Sequence, residues 1–155
     1  MDLDRTDIEI IRLLQKDVRL SNKQIAAAVG IAPSTCHERL KRLWSSGAIK
    51  GAHLDLDLKA LGYSLAALFL IELAKHERET VDSLLESIGR LTEVRAAFLI
   101  TGRYDLVVHV VARDMQHLKD QAFDNFTSHP AVTRIETSIV YDMQQNDNLL
   151  SEVRS

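Results

Sequence analysis

The residues best suited to a chemical task lie in the segment PSTCHERLKRLW, which begins at Pro33. In a helix, about 100° of rotation per residue places Cys36, Leu40 and Leu43 on one apolar stripe. The other face is polar, because Ser34, Glu38, Lys41 and Arg42 point away from the stripe and Thr35 and His37 flank them. Small polar groups near a helix N-terminus can meet base edges in the major groove, while cations further along meet phosphates. We therefore predict phosphate contacts from the two cations and base-edge contacts from the four other polar side chains.

Positive charge is concentrated around this segment. Between residues 19 and 50 six cations face a single anion, Glu38, although the whole chain carries a net charge of −3. The cations are Arg19, Lys23, Arg39, Lys41, Arg42 and Lys50. A basic patch on an otherwise acidic protein is typical of a polyanion-binding surface, and it adds Lys23 to the predicted DNA contacts. The alternative interpretation is a solvated helix face that binds nothing.

Helix start signals precede this segment twice. Asp4 is a suitable N-cap, and Asp7 follows three residues later near the exposed backbone donors of the first turn. Ser21 is a second N-cap, and Gln24 completes a capping box with it. Two helices are therefore predicted before the polar one.

The junction between the second and third helices has the residues of a tight turn. Gly30 can adopt the left-handed conformation that ends a helix, and Pro33 suits the first position of the next helix. The pattern predicts a helix-turn-helix DNA-binding domain over residues 1–52. Residues 53–62 are predicted to be a linker or strand, and the stretch SSGAIKGAHL is a candidate for a wing.

After Gly62 the sequence alternates apolar runs and helical patterns in the order βαββαβ. This order is typical of the split βαβ, ferredoxin-like fold, so we predict an α+β protein whose second domain spans residues 63–142. The predicted strands are residues 63–73, 94–101, 106–112 and 131–142, and the predicted helices are 77–91 and 114–129. In the second helix Leu118, Ala122, Phe123 and Phe126 are expected to face inward. Residues 143–155 are predicted to be a polar tail.

Three of the predicted strands are apolar on both faces. In the first, Leu68 and Leu70 alternate with Phe69 and Ile71. Two helices can cover only one face of the sheet, so we expect a second copy of the chain to cover the other in a symmetric dimer. A twofold dimer also presents two helix-turn-helix units to one DNA duplex.

The composition argues against several other classes of protein. The single cysteine, Cys36, excludes an internal disulfide framework and is predicted to be a small core residue. No signal-peptide pattern opens the chain, and the longest apolar run, LAALFLI, is too short to span a bilayer. The six histidines lack the spacing of a zinc site, and no nucleophile or phosphate-loop motif occurs. We therefore expect a soluble cytoplasmic protein that is no enzyme and needs neither metal nor cofactor.

Four segments carry a family resemblance. They are LDRTDIEIIRLLQKDVR, the pattern S-x-x-x-I-A-x-x-V-G-I-A-P-S-T-C-x-x-R-L-K-R-L-x-x-x-G-x-I, GRYDLVV and VTRIETSIV. With this spacing, nearly the whole chain resembles the leucine-responsive regulatory protein/AsnC family of transcription regulators. The resemblance implies a winged helix-turn-helix joined to a regulator-of-amino-acid-metabolism domain. It also implies double-stranded DNA as a partner and homodimers that often assemble into octamers.

The resemblance further implies a small-molecule effector, usually an amino acid, at an interface between dimers. The implied site is the hairpin loop with last-strand residues of a neighbouring subunit: Thr101, Gly102, Arg103, Tyr104, Asp105, Ile135 and Thr137. Asp105 can accept from an α-ammonium group, a glycine permits close approach, and backbone N–H groups can hold a carboxylate. From the residues alone, GRYD is better interpreted as a plain hairpin turn.

Two of these positions depart from the family pattern, and other functions stay open. Many members have an acidic residue where Arg103 stands and a threonine where Ile135 stands. We hypothesise that Arg103 favours an effector with an anionic end, or that no amino acid of the usual kind binds. A sensory module that docks a protein through its helix-turn-helix is the second hypothesis. An enzyme is the third, and the absence of a catalytic constellation argues against it.

Overall fold

Three helices form before residue 50, as the capping signals predict. The computed structural model describes residues 2–74 and 78–144, and α1 spans Arg5–Lys16, α2 Asn22–Val29 and α3 Pro33–Ser45. Capping boxes close the starts of α1 and α2, between Asp4 and Asp7 and between Ser21 and Gln24.

The three helices pack around a small apolar core. Ile10 of α1, Ile25 and Ala26 of α2, and Cys36 and Leu43 of α3 are buried together. The predicted apolar stripe of α3 therefore faces the other two helices, and Cys36 is a core residue as expected. The α2–α3 turn contains Gly30 with φ 72°, where an L side chain would be strained. The helix-turn-helix prediction is confirmed.

The segment after α3 carries no strand hydrogen bonds. Residues 46–64, all of which the structure describes, contain no strand, so the candidate wing is an irregular segment here. The Asp57 carboxylate accepts from the N–H groups of Lys59 and Ala60 and shapes a short turn. Two compact units divide within this segment, between Asp55 and Leu56.

The second unit has the predicted βαββαβ order. Its elements are β1 Leu65–Leu73, α4 Arg78–Gly89, β2 Val94–Leu99, β3 Leu106–Ala112, α5 Met115–Gln121 and β4 Val132–Val140. A π-helix, Ala122–Thr127, continues α5. The four strands form one antiparallel sheet in the order β2-β3-β1-β4, which confirms the ferredoxin-like plan. No described helix is long and apolar enough to cross a bilayer.

Both helices of this unit cover the same face of the sheet. Phe69 of β1 and Val108 of β3 are fully buried there against Leu84 of α4 and Phe126 of the π-helix. The rings of Phe69 and Phe126 meet edge to face with centroids 5.1 Å apart. The opposite face, which these helices leave open, carries half-buried or exposed apolar side chains: Ala66, Leu68, Leu70, Ala96, Phe98 and Val107. We call these residues the open face.

The inward positions of the last helix differ from the prediction at one residue. Leu118 and Phe126 are buried, but Phe123 is 64% exposed. Phe123 lies five residues after Leu118, which is about 140° around a helix, so the prediction of an inward Phe123 is wrong. Gln121 is buried instead, and its side-chain amide donates to the Val111 carbonyl.

Truncating Phe126 to alanine should lower the free energy of unfolding of the sheet unit by about 3–5 kcal/mol, because it empties a packed site. Phe123→Ala is the matched control and should change it by less than about 0.5 kcal/mol. Urea denaturation followed by circular dichroism measures both. An equal loss in the two variants would contradict the placement of these rings.

Candidate DNA-binding face and ligand-binding loop

The polar face of α3 lies open to solvent. All of its predicted base-edge and phosphate residues are exposed along one helix: Ser34, Thr35, His37, Glu38, Lys41 and Arg42. Lys23 is exposed on α2. The predicted DNA-binding side chains of α3 thus lie on one exposed side of that helix, and Lys23 is exposed on the neighbouring helix.

The turn that sets the start of α3 is held by a side chain. Asn22 donates from Nδ2 to the Pro33 carbonyl at 2.7 Å, which joins the first residue of α2 to the first residue of α3. Sequence analysis missed this role. An asparagine directly after the Ser21 N-cap is the only signal it leaves in the sequence.

Arg42 differs from the other polar residues of α3 because it has a partner within the chain. Its Nη2 lies 2.6 Å from Oδ2 of Asp7, whose side chain is fully buried. Arg39 pairs with the same group, with Nη1 2.8 Å from Oδ1 of Asp7 and 2.6 Å from Oδ2 of Asp4. The contact of Arg42 with phosphate stays a prediction, but its guanidinium is already engaged by α1.

These pairs shift the ionisation of the exposed partners. The hydrogen bond from Arg39 lowers the pKa of the Asp4 carboxyl, and the backbone N–H of Asp7 lowers it further. Asp4 and Asp7 in turn raise the pKa of Arg39. Both effects favour the charged forms, so the pair of Asp4 with Arg39 persists at neutral pH and weakens as the pH falls through the lowered pKa of Asp4.

The basic patch is consequently smaller than the charge count indicates. Arg19 pairs with Asp17 at 3.0 Å, so it is engaged, as are Arg39 and Arg42. Lys23, Lys41 and Lys50 make no ion pair within the part of the chain that the structure describes. The carboxylates that pair with these arginines belong to Asp4, Asp7 and Asp17, which lie in or beside α1. They fall outside residues 19–50, the range of the charge count.

The predicted effector loop joins β2 to β3. Thr101, Gly102 and Arg103 are exposed, and Tyr104 and Asp105 are partly buried. Gly102 has φ 123°, a conformation that L side chains rarely adopt, and a Cβ there would meet nothing within 4 Å. The loop therefore needs glycine for its backbone and leaves space beside it.

Asp105 has a structural partner in addition to its predicted role. One of its carboxylate oxygens accepts from the backbone N–H of Leu73 at 2.7 Å. Its own N–H donates to the Ile71 carbonyl, and its carbonyl accepts from Ile100. The carboxylate is thus fixed at the end of β1, where its second oxygen has no hydrogen bond among the described residues.

Glu136 of β4 is a site residue that sequence analysis missed. The Tyr104 hydroxyl donates to its Oε2 at 2.5 Å, and Arg134 and Arg103 approach Oε1 at 2.6 and 3.5 Å. The hydrogen bond from Tyr104 is the main cause of the lowered pKa of Glu136, and it raises the pKa of Tyr104. The guanidinium of Arg103 also lies 5.3 Å from the centre of the Tyr104 ring.

The two predicted β4 residues lie on the other side of the sheet from Glu136. Ile135 pairs with Ile71 and packs against the core, and Thr137 pairs with Phe69 and is exposed. Within one chain, neither joins the loop. Their contribution across a subunit interface stays a prediction.

Comparison with known proteins gives the family. Residues 3–50 match the winged helix-turn-helix DNA-binding family, and residues 66–149 match the Lrp/AsnC ligand binding domain. This chain belongs to the Lrp/AsnC family. It is a DNA-binding transcriptional regulator with a ligand-binding domain, and its relatives are regulators rather than enzymes.

Named relatives in the Lrp/AsnC family align over most of their length. The chain is 36% identical to the transcriptional regulator AzlB of Bacillus subtilis, over 92% of this chain and 91% of that protein. It is 35% identical to the regulator AldR of Mycobacterium tuberculosis, over 91% and 79% of the two chains.

Solved Lrp/AsnC structures are similar to this chain in fold. The complex of the Neisseria meningitidis regulator NMB0573 with L-Met superposes with a TM-score of 0.87 at 27% identity, covering 94% of each chain. AsnC of Escherichia coli superposes with a TM-score of 0.85 at 26% identity, covering 97% of this chain and 99% of that one.

Tyr104→Phe should raise the pKa of Glu136 toward its ordinary value, because the variant removes the hydrogen bond that mainly lowers it. A pH titration of the glutamate carboxyl carbons by NMR measures the change. Tyr141→Phe is the matched control, since Tyr141 is 99% exposed, and it should leave Glu136 unchanged. An unaltered Glu136 titration in Tyr104→Phe would contradict the assigned contact.

Proposed function

We propose that this Lrp/AsnC protein is a homodimeric, cytoplasmic transcription regulator whose assembly or DNA affinity responds to an amino acid or a related small molecule. The observation that carries the proposal is an exposed polar α3 face in the same chain as an Lrp/AsnC ligand-binding domain. A related structure bound to L-Met supports an amino-acid effector.

The DNA contacts follow from the exposed face of α3. Ser34, Thr35, His37 and Glu38 occupy its first half and offer hydroxyl, imidazole and carboxylate groups to base edges. Lys41 on α3 and Lys23 on α2 contact phosphates, because each is exposed and has no internal ion pair among the described residues. Binding should weaken with salt according to the number of phosphates neutralised.

The effector occupies the loop from Thr101 to Asp105, with Ile135 and Thr137 contributed by a neighbouring subunit. The space beside Gly102 admits a small zwitterion, and Asp105 accepts from its ammonium group. Glu136 already lies against Arg103 and Arg134, so a ligand with an anionic end must compete with that carboxylate. This competition weakens the hypothesis that Arg103 selects an anionic effector.

The open face supports the homodimer. Leu68 and Leu70 of β1, Val107 of β3 and Phe98 of β2 form an apolar surface that a second copy can cover. A twofold axis through this surface makes the contact self-complementary and closed. We further propose that such dimers assemble into octamers, and that effector binding between dimers adjusts this step.

Fluorescence anisotropy tests the effector. A duplex selected by the wild-type protein from a random library is titrated with and without each standard amino acid. At least one amino acid should change the dissociation constant by about fivefold or more, a typical coupling between two sites.

Gly102→Val should abolish this response, because a β-branched residue cannot take the loop conformation, while DNA binding in the absence of effector persists. Gly89→Val is the matched control, since Gly89 has open space and no positive φ, and it should respond like wild type. A wild-type complex that no amino acid affects, or a responsive Gly102→Val, would contradict the proposal.

Leu68→Glu should convert the dimer to monomer, raising its dissociation constant at least about a hundredfold, because it buries a carboxylate in an apolar contact. Met115→Glu is the control, since Met115 is 61% exposed on α5, which packs on the opposite side of the sheet. Sedimentation equilibrium gives the mass of each variant. A dimeric Leu68→Glu would place the dimer contact elsewhere.

A further inference from the structure

Asp7 of α1 pairs with both Arg39 and Arg42 of α3, the helix that carries the predicted DNA-binding face. We propose that Asp7 is a positioning residue for DNA recognition: it holds α3 at a fixed angle through Arg39 and Arg42, and Arg42 serves this purpose rather than phosphate binding. The proposal rests on the DNA-binding function and assigns a role within it.

Among the described residues, the Asp7 carboxylate accepts hydrogen bonds from groups that fix helix positions. Its Oδ1 accepts from Arg39, and its Oδ2 accepts from Arg42 and from the backbone N–H of Asp4. The Asp7 side chain is fully buried, with an exposure of 0%. A buried carboxylate that loses its partners is strongly destabilised, so both guanidiniums are held to it.

The two arginines lie at the edge of the DNA face of α3 that meets Asp7 of α1. They are three residues apart, so they occupy the same side of the helix. Counting about 100° per residue, Arg42 lies about 20° from Thr35 and about 40° from Glu38, so it borders the predicted base-edge residues. Arg39 lies further from Ser34 and Lys41. The ion pairs hold this edge of α3 against the start of α1, and they thereby restrain how the exposed face of α3 is oriented.

Such a restraint matters because base readout is geometric. Hydrogen bonds to base edges need donor–acceptor distances near 3 Å, whereas phosphate contacts tolerate small rotations of the helix. A looser α3 should therefore lose selectivity before it loses general affinity for DNA. If Asp7 acted only through its charge, the opposite result would be expected. Removing Asp7 would release two cations and strengthen binding to any DNA.

The test compares Asp7→Asn, Arg42→Gln and their double variant on two duplexes of about 30 base pairs, long enough for two half-sites. One duplex is selected by wild type from a random library and the other is its shuffled sequence. Each single variant should lower the ratio of the two affinities about tenfold, comparable to one lost base contact. The double variant should lose no more than the larger single loss, because both remove the same restraint.

Salt titrations on the shuffled duplex separate positioning from phosphate contact. Lys41→Ala should reduce the slope of log affinity against log salt by about 0.9, as expected for one phosphate contact. Arg42→Gln should leave that slope at the wild-type value. A slope reduced as much in Arg42→Gln as in Lys41→Ala would overturn the proposal, and so would an unchanged selectivity ratio in Asp7→Asn.

Lost stability alone is excluded by a control in the same domain. Ile25→Val removes one methylene from the core around Ile10 and Leu43 without touching the ion pairs. It should lower the melting temperature and keep the wild-type selectivity ratio, whereas an equal loss of selectivity would refute the positioning role. If Asp7→Asn does not fold, Arg42→Gln decides alone, because it alters only a half-exposed side chain. A wild-type protein without selectivity would instead refute sequence-specific DNA binding itself.

Discussion

The second unit depends on a sheet whose central strands, β1 and β3, carry apolar side chains on both faces. Alternation along β1 sends Phe69 and Ile71 to the helices and Leu68 and Leu70 to the other side. Burying the first pair fixes the strand register, because a slip of one residue would exchange the two faces. The same alternation creates the open face, so folding of the unit and the proposed contact with a second copy have one cause.

Local patterns were sufficient to predict most of this fold. The β3 strand has the predicted bounds, because Gly102 and Asp105 delimit one end and Asp114 the other. Capping and turn residues likewise located the helices of the first unit, since each acts within four residues of itself. The prediction of an inward Phe123 is wrong because it rests on the apolar side chain and not on the helical spacing from Leu118.

Local patterns could not predict contacts between residues that are far apart in the sequence. Asp7 and Arg42 are 35 residues apart, and Tyr104 and Glu136 are 32 apart. From its neighbours in the sequence, each of these polar side chains would be expected to lie on a solvated surface. The count of cations around α3 therefore overstates the free positive charge, because the carboxylates that pair with three of them lie in or beside α1. The exposed candidates of α3 were predictable, since an apolar stripe determines which side remains outside.

The placement of Glu136 connects the ligand loop with the open face. Glu136 pairs with Leu70 across β4 and β1, and directly opposite residues of antiparallel strands project on the same side. Glu136, which contacts Arg103 and Tyr104, thus borders the open face, the surface proposed to meet a second copy. A ligand that displaced these contacts would alter the charge at the rim of that surface. Because coupling between sites is reciprocal, the proposed effect of the ligand on assembly requires that assembly change the affinity for the ligand by the same factor.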